Sequence, residues 1–218
     1  MNPSKIGKYE TETIEITLSG RRFVLLRVKD LERWVNREVL LRDEAEEPPY
    51  WAHLWTGALT LARYVEEKVE CQWRKVLDLG CGLGLTGIVA ALKGGQVTFA
   101  DKEVDALAFA TVNAQLNRCP LFVTRWLDFT QNNLQETFSL ILGAEIVYDP
   151  LTFPALTAFL ARHLAPGGAV YLTDAKRTDT REFFRQLSLQ GLSYTVEEIA
   201  EREEHSPLLV SLVVIHPP

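Results

Sequence analysis

The sequence predicts an α/β fold built on a doubly wound, mostly parallel sheet, and three observations carry the prediction. From residue 76 onward, short apolar runs alternate with helical patterns. The first run, Val76-Leu77-Asp78-Leu79, meets four glycines within eight positions: Gly80, Gly82, Gly84 and Gly87. The last two strand-like runs, residues 194–199 and 208–215, have no crossover helix between them and therefore pair antiparallel. Strand, glycine turn and helix together let a backbone approach a nucleotide-like ligand closely, because a side chain in the turn would block the approach.

The elements follow in order. Residues 1–12 are polar and read as loose. Residues 13–18 alternate with period two, Ser19-Gly20 is a turn signal, and 22–28 are apolar, which predicts a β-hairpin outside the main sheet. Leu31, Trp34, Val35, Leu40 and Leu41 suggest a short helix within 30–41, and residues 43–49 form an acidic, proline-ended linker. The chain thus divides into a hairpin-and-linker extension, 1–48, and a main domain, 49–218. An aromatic cluster, Tyr50-Trp51-Ala52-His53-Leu54-Trp55, opens the next helix, whose inner face carries Trp55, Leu59, Ala62, Val65 and Val69. Trp51 divides between core and ligand wall. Trp55, just upstream of the glycine turn, reads as a wall, and His53, with no partner in sequence, reads as structural.

Strand one is 76–79 with its helix at 85–93, and strand two is 96–100, ending at Asp101. A helix at 103–117 is expected to turn Val104, Leu107, Ala108, Val112 and Leu116 inward. Strand three is 121–125 and strand four 138–143. A helix at 151–165 buries Phe153, Leu156, Leu160 and Leu164, then Pro166-Gly167-Gly168 breaks it before strand five at 169–173. A last helix spans 179–190, and residues 201–204 form a charged turn.

The totals set limits on function. The 218 residues are 47% apolar and 24% charged with a net charge of −6, an ordinary globular balance that argues against general nucleic-acid binding. Cys71, Cys81 and Cys119 make an odd count without metal-ligand spacing, so a reducing, cytoplasmic setting and no metal are expected. No apolar run reaches the ~18 residues of a membrane span, and no apolar signal core opens the chain.

The glycine turn contains Gly82-x-Gly84-x-x-Gly87, a dinucleotide fingerprint that is weak evidence alone. Asp101 ends strand two, where a carboxylate can take both hydroxyls of a ribose. Asp78 is the discriminator. An acid before the glycines repels a pyrophosphate and suits a ligand bearing an ammonium and a sulfonium, so electrostatics favours S-adenosylmethionine over NAD. Asp128 follows strand three, where it can accept from an adenine amino group or, alternatively, cap a turn. Leu127 and Phe129 are placed to flank the ring. Glu145-x-x-Tyr148 follows strand four at the open carboxyl end of the sheet, a spacing that suits an incoming amine or, alternatively, a packed aromatic beside a surface acid.

Taken together, Pro49 to Trp55, Val76 to Gly87, Asp101, Asp128-Phe129 and Glu145-Ile146-Val147-Tyr148 resemble the seven-strand, class I S-adenosylmethionine-dependent methyltransferases. Within them the chain is similar to the protein-lysine methyltransferases with an acid-x-x-Tyr motif, many of which have Asp where Glu145 stands. The resemblance implies a Rossmann-like sheet of order 3-2-1-4-5-7-6 with one antiparallel strand. It implies that Gly80 and Gly82 line the methionine part of the cofactor, with Trp55 near that end, Asp101 on the ribose and Asp128 on the adenine. Asp78, Gly84, Lys102, Leu127, Phe129 and Ala144 complete the expected cofactor set, and the spent product is S-adenosyl-L-homocysteine. Glu145 and Tyr148 are the catalytic candidates, orienting the amine of a protein lysine. A small amine is the alternative substrate, and a non-catalytic cofactor-binding scaffold the alternative role.

Overall fold

The computed structural model describes residues 4–34, 49–131, 134–203 and 206–217. Three strands open the chain as an antiparallel sheet of their own: β1 (Lys5–Ile6), β2 (Tyr9–Leu18) and β3 (Arg21–Val28). Helix α1 (Thr56–Lys68) precedes the alternating units. These are β4 (Lys75–Leu79), α2 (Leu85–Leu92), β5 (Gln96–Asp101), α3 (Val104–Leu116) and β6 (Phe122–Trp126). The second half holds β7 (Phe138–Ala144), α4 (Phe153–His163), β8 (Leu164–Asp174), α5 (Arg181–Leu189), β9 (Ser193–Glu203) and β10 (Ser206–His216).

The main sheet runs β6-β5-β4-β7-β8-β10-β9, which is 3-2-1-4-5-7-6 when counted from β4. β4 to β8 are parallel, and β10 lies antiparallel to both β8 and β9. Strand order reverses between β4 and β7, and that is where a doubly wound sheet opens a crevice at its carboxyl ends. Helices cover both faces. Val76 of β4 shares a core with Leu61 and Val65 of α1 and Ile88 of α2. Its neighbour Leu77 points the other way, into a core with Leu156 and Leu160 of α4 and Phe183 of α5.

The structure revises several sequence expectations. Residues 5–6 and 9–12 are strand, not loose chain: Tyr9 is buried and β1 pairs with β2. The rest of that segment alternates charged and polar residues, so its strand character is not carried by apolar periodicity. The expected helix at 30–41 is a single 3-10 turn, Leu31–Arg33, and its remainder from residue 35, like the acidic linker up to residue 48, lies outside the described residues. Leu164 begins β8 rather than ending a helix, and residues 165–168 form a bulge where Phe138↔Leu164 steps to Leu140↔Ala169. Glu201 to Glu203 belong to β9, not to a turn.

The inward face of α3 also differs from the expected one. Val104 is 68% exposed, whereas Ala106, Phe109, Ala110, Asn113 and Ala114 are buried. This helix is apolar around most of its circumference, so periodicity could not choose a face. A polar pair decides it instead. Asn113 Oδ1 accepts from Leu26 N at 2.7 Å, and its Nδ2 donates to Leu26 O at 3.0 Å and Leu83 O at 2.9 Å. Asn117, one helical turn on, accepts from Val24 N at 3.0 Å and donates to Val24 O at 2.6 Å. Four helical residues rise about 6 Å and two strand residues about 6.6 Å, so the amides meet alternate residues of β3 and act as a strand made of side chains. Asn113→Ala strands buried backbone groups of Leu26 and Leu83, so a loss of about 2–4 kcal/mol in unfolding free energy is expected by urea titration. A change under about 0.5 kcal/mol would show that the amide contributes nothing to holding β3.

Candidate active site

At the crevice, every residue predicted for the site lines one cavity of about 1200 Å³. β4 delivers Asp78 to its floor and then turns through Gly80 and Gly82, both with left-handed backbone, φ +63° and +50°. A Cβ on Gly82 would lie 2.8 Å from the Trp51 carbonyl oxygen, so the turn and the aromatic segment close on each other only with glycine there.

Asp78 is 3% exposed, and its Oδ2 accepts from Gly87 N at 2.9 Å. Burial pushes its carboxyl up to about 7, against the pull of the Gly87 N–H, and the nearby Asp101 charge adds to the rise. Asp101, at the end of β5, accepts from Gly82 N and Glu103 N, each at 3.0 Å. Burial raises its pKa as well. Each of the two carboxylates is thus held by backbone N–H groups. Lys102 and Leu127 follow along the wall, the latter buried at 5% exposure. Asp128 Oδ1 accepts from Thr130 N at 2.9 Å and Thr130 Oγ1 at 2.6 Å, so it caps the turn at Phe129–Gln131, as its alternative reading expected, while still lining the cavity.

On the opposite wall, β7 ends at Ala144 and Glu145 follows in a left-handed conformation, φ +57°. Such a backbone costs a non-glycine residue about 1–2 kcal/mol, so the fold must hold it there. It does: Glu145 N donates to Thr173 O at 2.8 Å, while Oε1 accepts from Gly57 N and Oε2 from Ala175 N, both at 3.2 Å. The carboxylate ties the start of α1 to the chain leaving β8. Burial raises its pKa. Tyr148 stands 52% exposed at the rim, its carbonyl accepting from Thr178 Oγ1 at 2.9 Å. Trp55 Nε1 donates to Tyr50 O at 3.0 Å, and its ring lies 4.4 Å from that of His53 and 5.1 Å from the Arg177 guanidinium.

Sequence reasoning missed two parts of this wall. Lys8, Tyr9 and Trp34 reach it from the N-terminal segment, with the Tyr9 ring edge-on to Trp51 at 5.4 Å and to Phe109 at 6.1 Å between centroids. Gly57 and Ala175, the donors to Glu145, carry no signal in sequence because they act through backbone N–H groups brought together only by the fold.

The donor set fits S-adenosylmethionine. Two buried carboxylates at the floor can meet an ammonium and a pair of ribose hydroxyls, and they oppose the phosphates of a dinucleotide. The comparisons agree. Residues 36–190 match the family model described as lysine methyltransferase. A mouse protein named EEF1A lysine methyltransferase 3 is 36% identical over 161 residues, 70% of this chain and 67% of that one. A zebrafish protein named protein N-lysine methyltransferase METTL21A is 36% identical over 173 residues, 73% of this chain and 78% of that one. Among solved structures, a Thermus thermophilus 16S rRNA N2 G1207 methyltransferase, in complex with AdoMet and guanosine, superposes with a TM-score of 0.67 at 14% identity. The match covers 98% of this chain and 52% of that one and speaks to fold. No described helix is long and apolar enough to cross a membrane. The chain belongs to the lysine methyltransferase family, S-adenosylmethionine-dependent enzymes of the class I fold that methylate lysine side chains of proteins.

Proposed function

We propose that the large cavity seats the cofactor between Asp78 and Asp101 and that Glu145 and Tyr148 present a protein lysine to its methyl group. The observation that carries this reading is the convergence of all the motif residues, from five separate strand ends and loops, on one cavity. Asp78 would face the ammonium of the methionine part and Asp101 the ribose hydroxyls, with Gly80, Gly82, Gly84 and Ala144 leaving room for the chain between. Leu127, Asp128 and Phe129, beside Lys102, would enclose the adenine, and Trp55 would close the methionine end.

When bound, the cofactor supplies an electrophilic methyl on a sulfonium for in-line displacement by an amine. The residues of this chain supply alignment. A lysine amine is protonated in water, with a pKa near 10.4, and must be neutral to attack. Glu145, fixed by two backbone donors, would hold the amine on one side and the Tyr148 phenol on the other, so that its lone pair faces the methyl. Glu145 already accepts a backbone hydrogen bond on each oxygen, which favours an orienting role over that of a freely moving base.

The substrate is a lysine on another protein. One relative is named for EEF1A, which makes that protein the first to try. Three free thiols support a reducing, cytoplasmic setting. Incubation with cofactor labelled on the methyl group and a cell lysate tests the reading. Label should enter discrete protein bands and be recovered as methyl-lysine after hydrolysis. Recovery only in small amines would replace the protein substrate with a metabolite.

A further inference from the structure

A second, smaller cavity of about 180 Å³ adjoins the large one and shares Tyr50, Trp55, Glu145 and Tyr148 with it. Its own contributions are Val147, Asp174 and Arg177. At ~30 Å³ per water it holds about six waters, the bulk of one lysine side chain and far less than a nucleoside. Three aromatic rings and a valine give it apolar walls suited to a methylene stem. Its charged lining is two acids, Glu145 and Asp174, and one cation, Arg177, which pairs with Glu203.

Asp174 has no part in the reading above. It ends β8, is 8% exposed, and its Oδ1 accepts from Lys176 N at 2.9 Å. Among the described residues its other oxygen has no hydrogen bond. The two nearest cations are engaged elsewhere. Lys176 Nζ pairs with Glu198 at 2.8 Å, and the Arg177 guanidinium pairs with Glu203 at 2.6 Å while lying over Trp55. Asp174 thus lines an aromatic cavity with one oxygen unbonded among the described residues, and both neighbouring cations are paired to acids of β9. A cation entering the cavity gains a charge-assisted contact with that oxygen.

We infer that the small cavity is the channel through which the substrate lysine reaches the cofactor, and that Asp174 is a specificity-determining residue that meets its ammonium beside Glu145. This rests on the proposed function for the direction of approach, but the channel itself is a binding claim. Burial, the largest influence, raises the pKa of Asp174, and the charge of Glu198 adds to this. The Lys176 N–H and the charges of Lys176 and Arg177 oppose it. An incoming ammonium would reverse the balance. The channel selects for a long, unbranched, cationic side chain, since a neutral chain of equal length gains nothing from the two acids.

Asp174→Asn separates this role from a structural one. Asparagine still accepts from Lys176 N and keeps the turn, but loses the charge. The probe is n-butylammonium, with 1-butanol as its neutral counterpart, titrated calorimetrically into protein saturated with S-adenosylhomocysteine. We expect wild type to bind the ammonium at least tenfold tighter than Asp174→Asn does, with the alcohol equal in both. With protein substrate, the same variant should raise KM more than it lowers kcat and leave cofactor affinity unchanged. Equal ammonium binding by wild type and variant, or none by wild type, overturns the inference. Because no methyl transfer is needed, wild type that binds the ammonium yet labels no lysine would sink the proposed function and leave only the cation-binding role of Asp174 standing.

Discussion

Glu145→Gln should lower kcat by about a hundredfold while leaving the affinity for the cofactor nearly unchanged. The side chain serves two backbone donors at once, Gly57 N and Ala175 N, and an amide can accept only with its one oxygen. Its NH₂ must then face an N–H group, a donor against a donor, which costs about 1–3 kcal/mol and pushes the residue off its position. A displacement on the order of 1 Å at a reacting centre is worth about 10²-fold in rate. A second variant reaches the same carboxylate from outside the motif. In Gly57→Ala the new Cβ would overlap Glu145 Oε1 and sit 2.8 Å from Cδ, so this conservative change in α1 should reproduce most of the Glu145→Gln defect. Calorimetry for cofactor binding and single-turnover kinetics for transfer provide the readouts. Wild-type turnover in both variants would mean that the carboxylate does not orient the amine. Loss of cofactor binding in both would make it structural.

Lowering the pH from 8 to 5.5 should weaken cofactor binding, by up to about tenfold per unit below about 7, through Asp78. Its carboxyl is pushed up to about 7 by burial, and it must be ionised to face an ammonium. Binding therefore expels a proton when the pH is near or below that value. The stability of the ligand-free protein moves the other way. The folded pKa lies above the unfolded value of 3.8, so the stabilisation linked to the protonated acid is complete below 3.8 and is lost as pH rises through about 7. Asp101, Glu145 and Asp174 are shifted in the same direction, mainly by burial. Through these acids mild acid should raise the melting temperature of the ligand-free enzyme and diminish its hold on the cofactor, while His53, whose pKa burial lowers, opposes the stability gain below 6.5. Titrations in buffers of different ionisation enthalpy measure the proton count. In Asp78→Asn binding should be weaker and its pH profile flatter, and an unchanged profile in the variant would assign the effect elsewhere.

The sheet and the cavity were legible in the sequence for one physical reason. A buried parallel strand followed by glycines and an acid is a local pattern, and the topology then carries each strand end to the same crevice. Asp78, Asp101, Glu145 and Tyr148 could each be placed by the strand they follow. What was not legible depends on partners distant in the chain. The inner face of α3 is chosen by two asparagines that bond a strand some ninety residues earlier. Tyr9 becomes a wall only because β2 pairs with β3 and lays it against Trp51 and Phe109. Asp174 reads in sequence as one more acid at a strand end. It stands out only when the commitments of Lys176 and Arg177 to β9 are known.

The asparagine ladder on β3 also bears on how the protein behaves in a crowded solution. An uncovered strand edge is an invitation for another chain to add itself, the first step toward self-association and fibre growth. Here one helix fills that position with two amide side chains, giving neighbours nothing to pair with at Val24 and Leu26. Loss of the amides would therefore do more than loosen a contact, because it would convert a sealed rim into a sticky one.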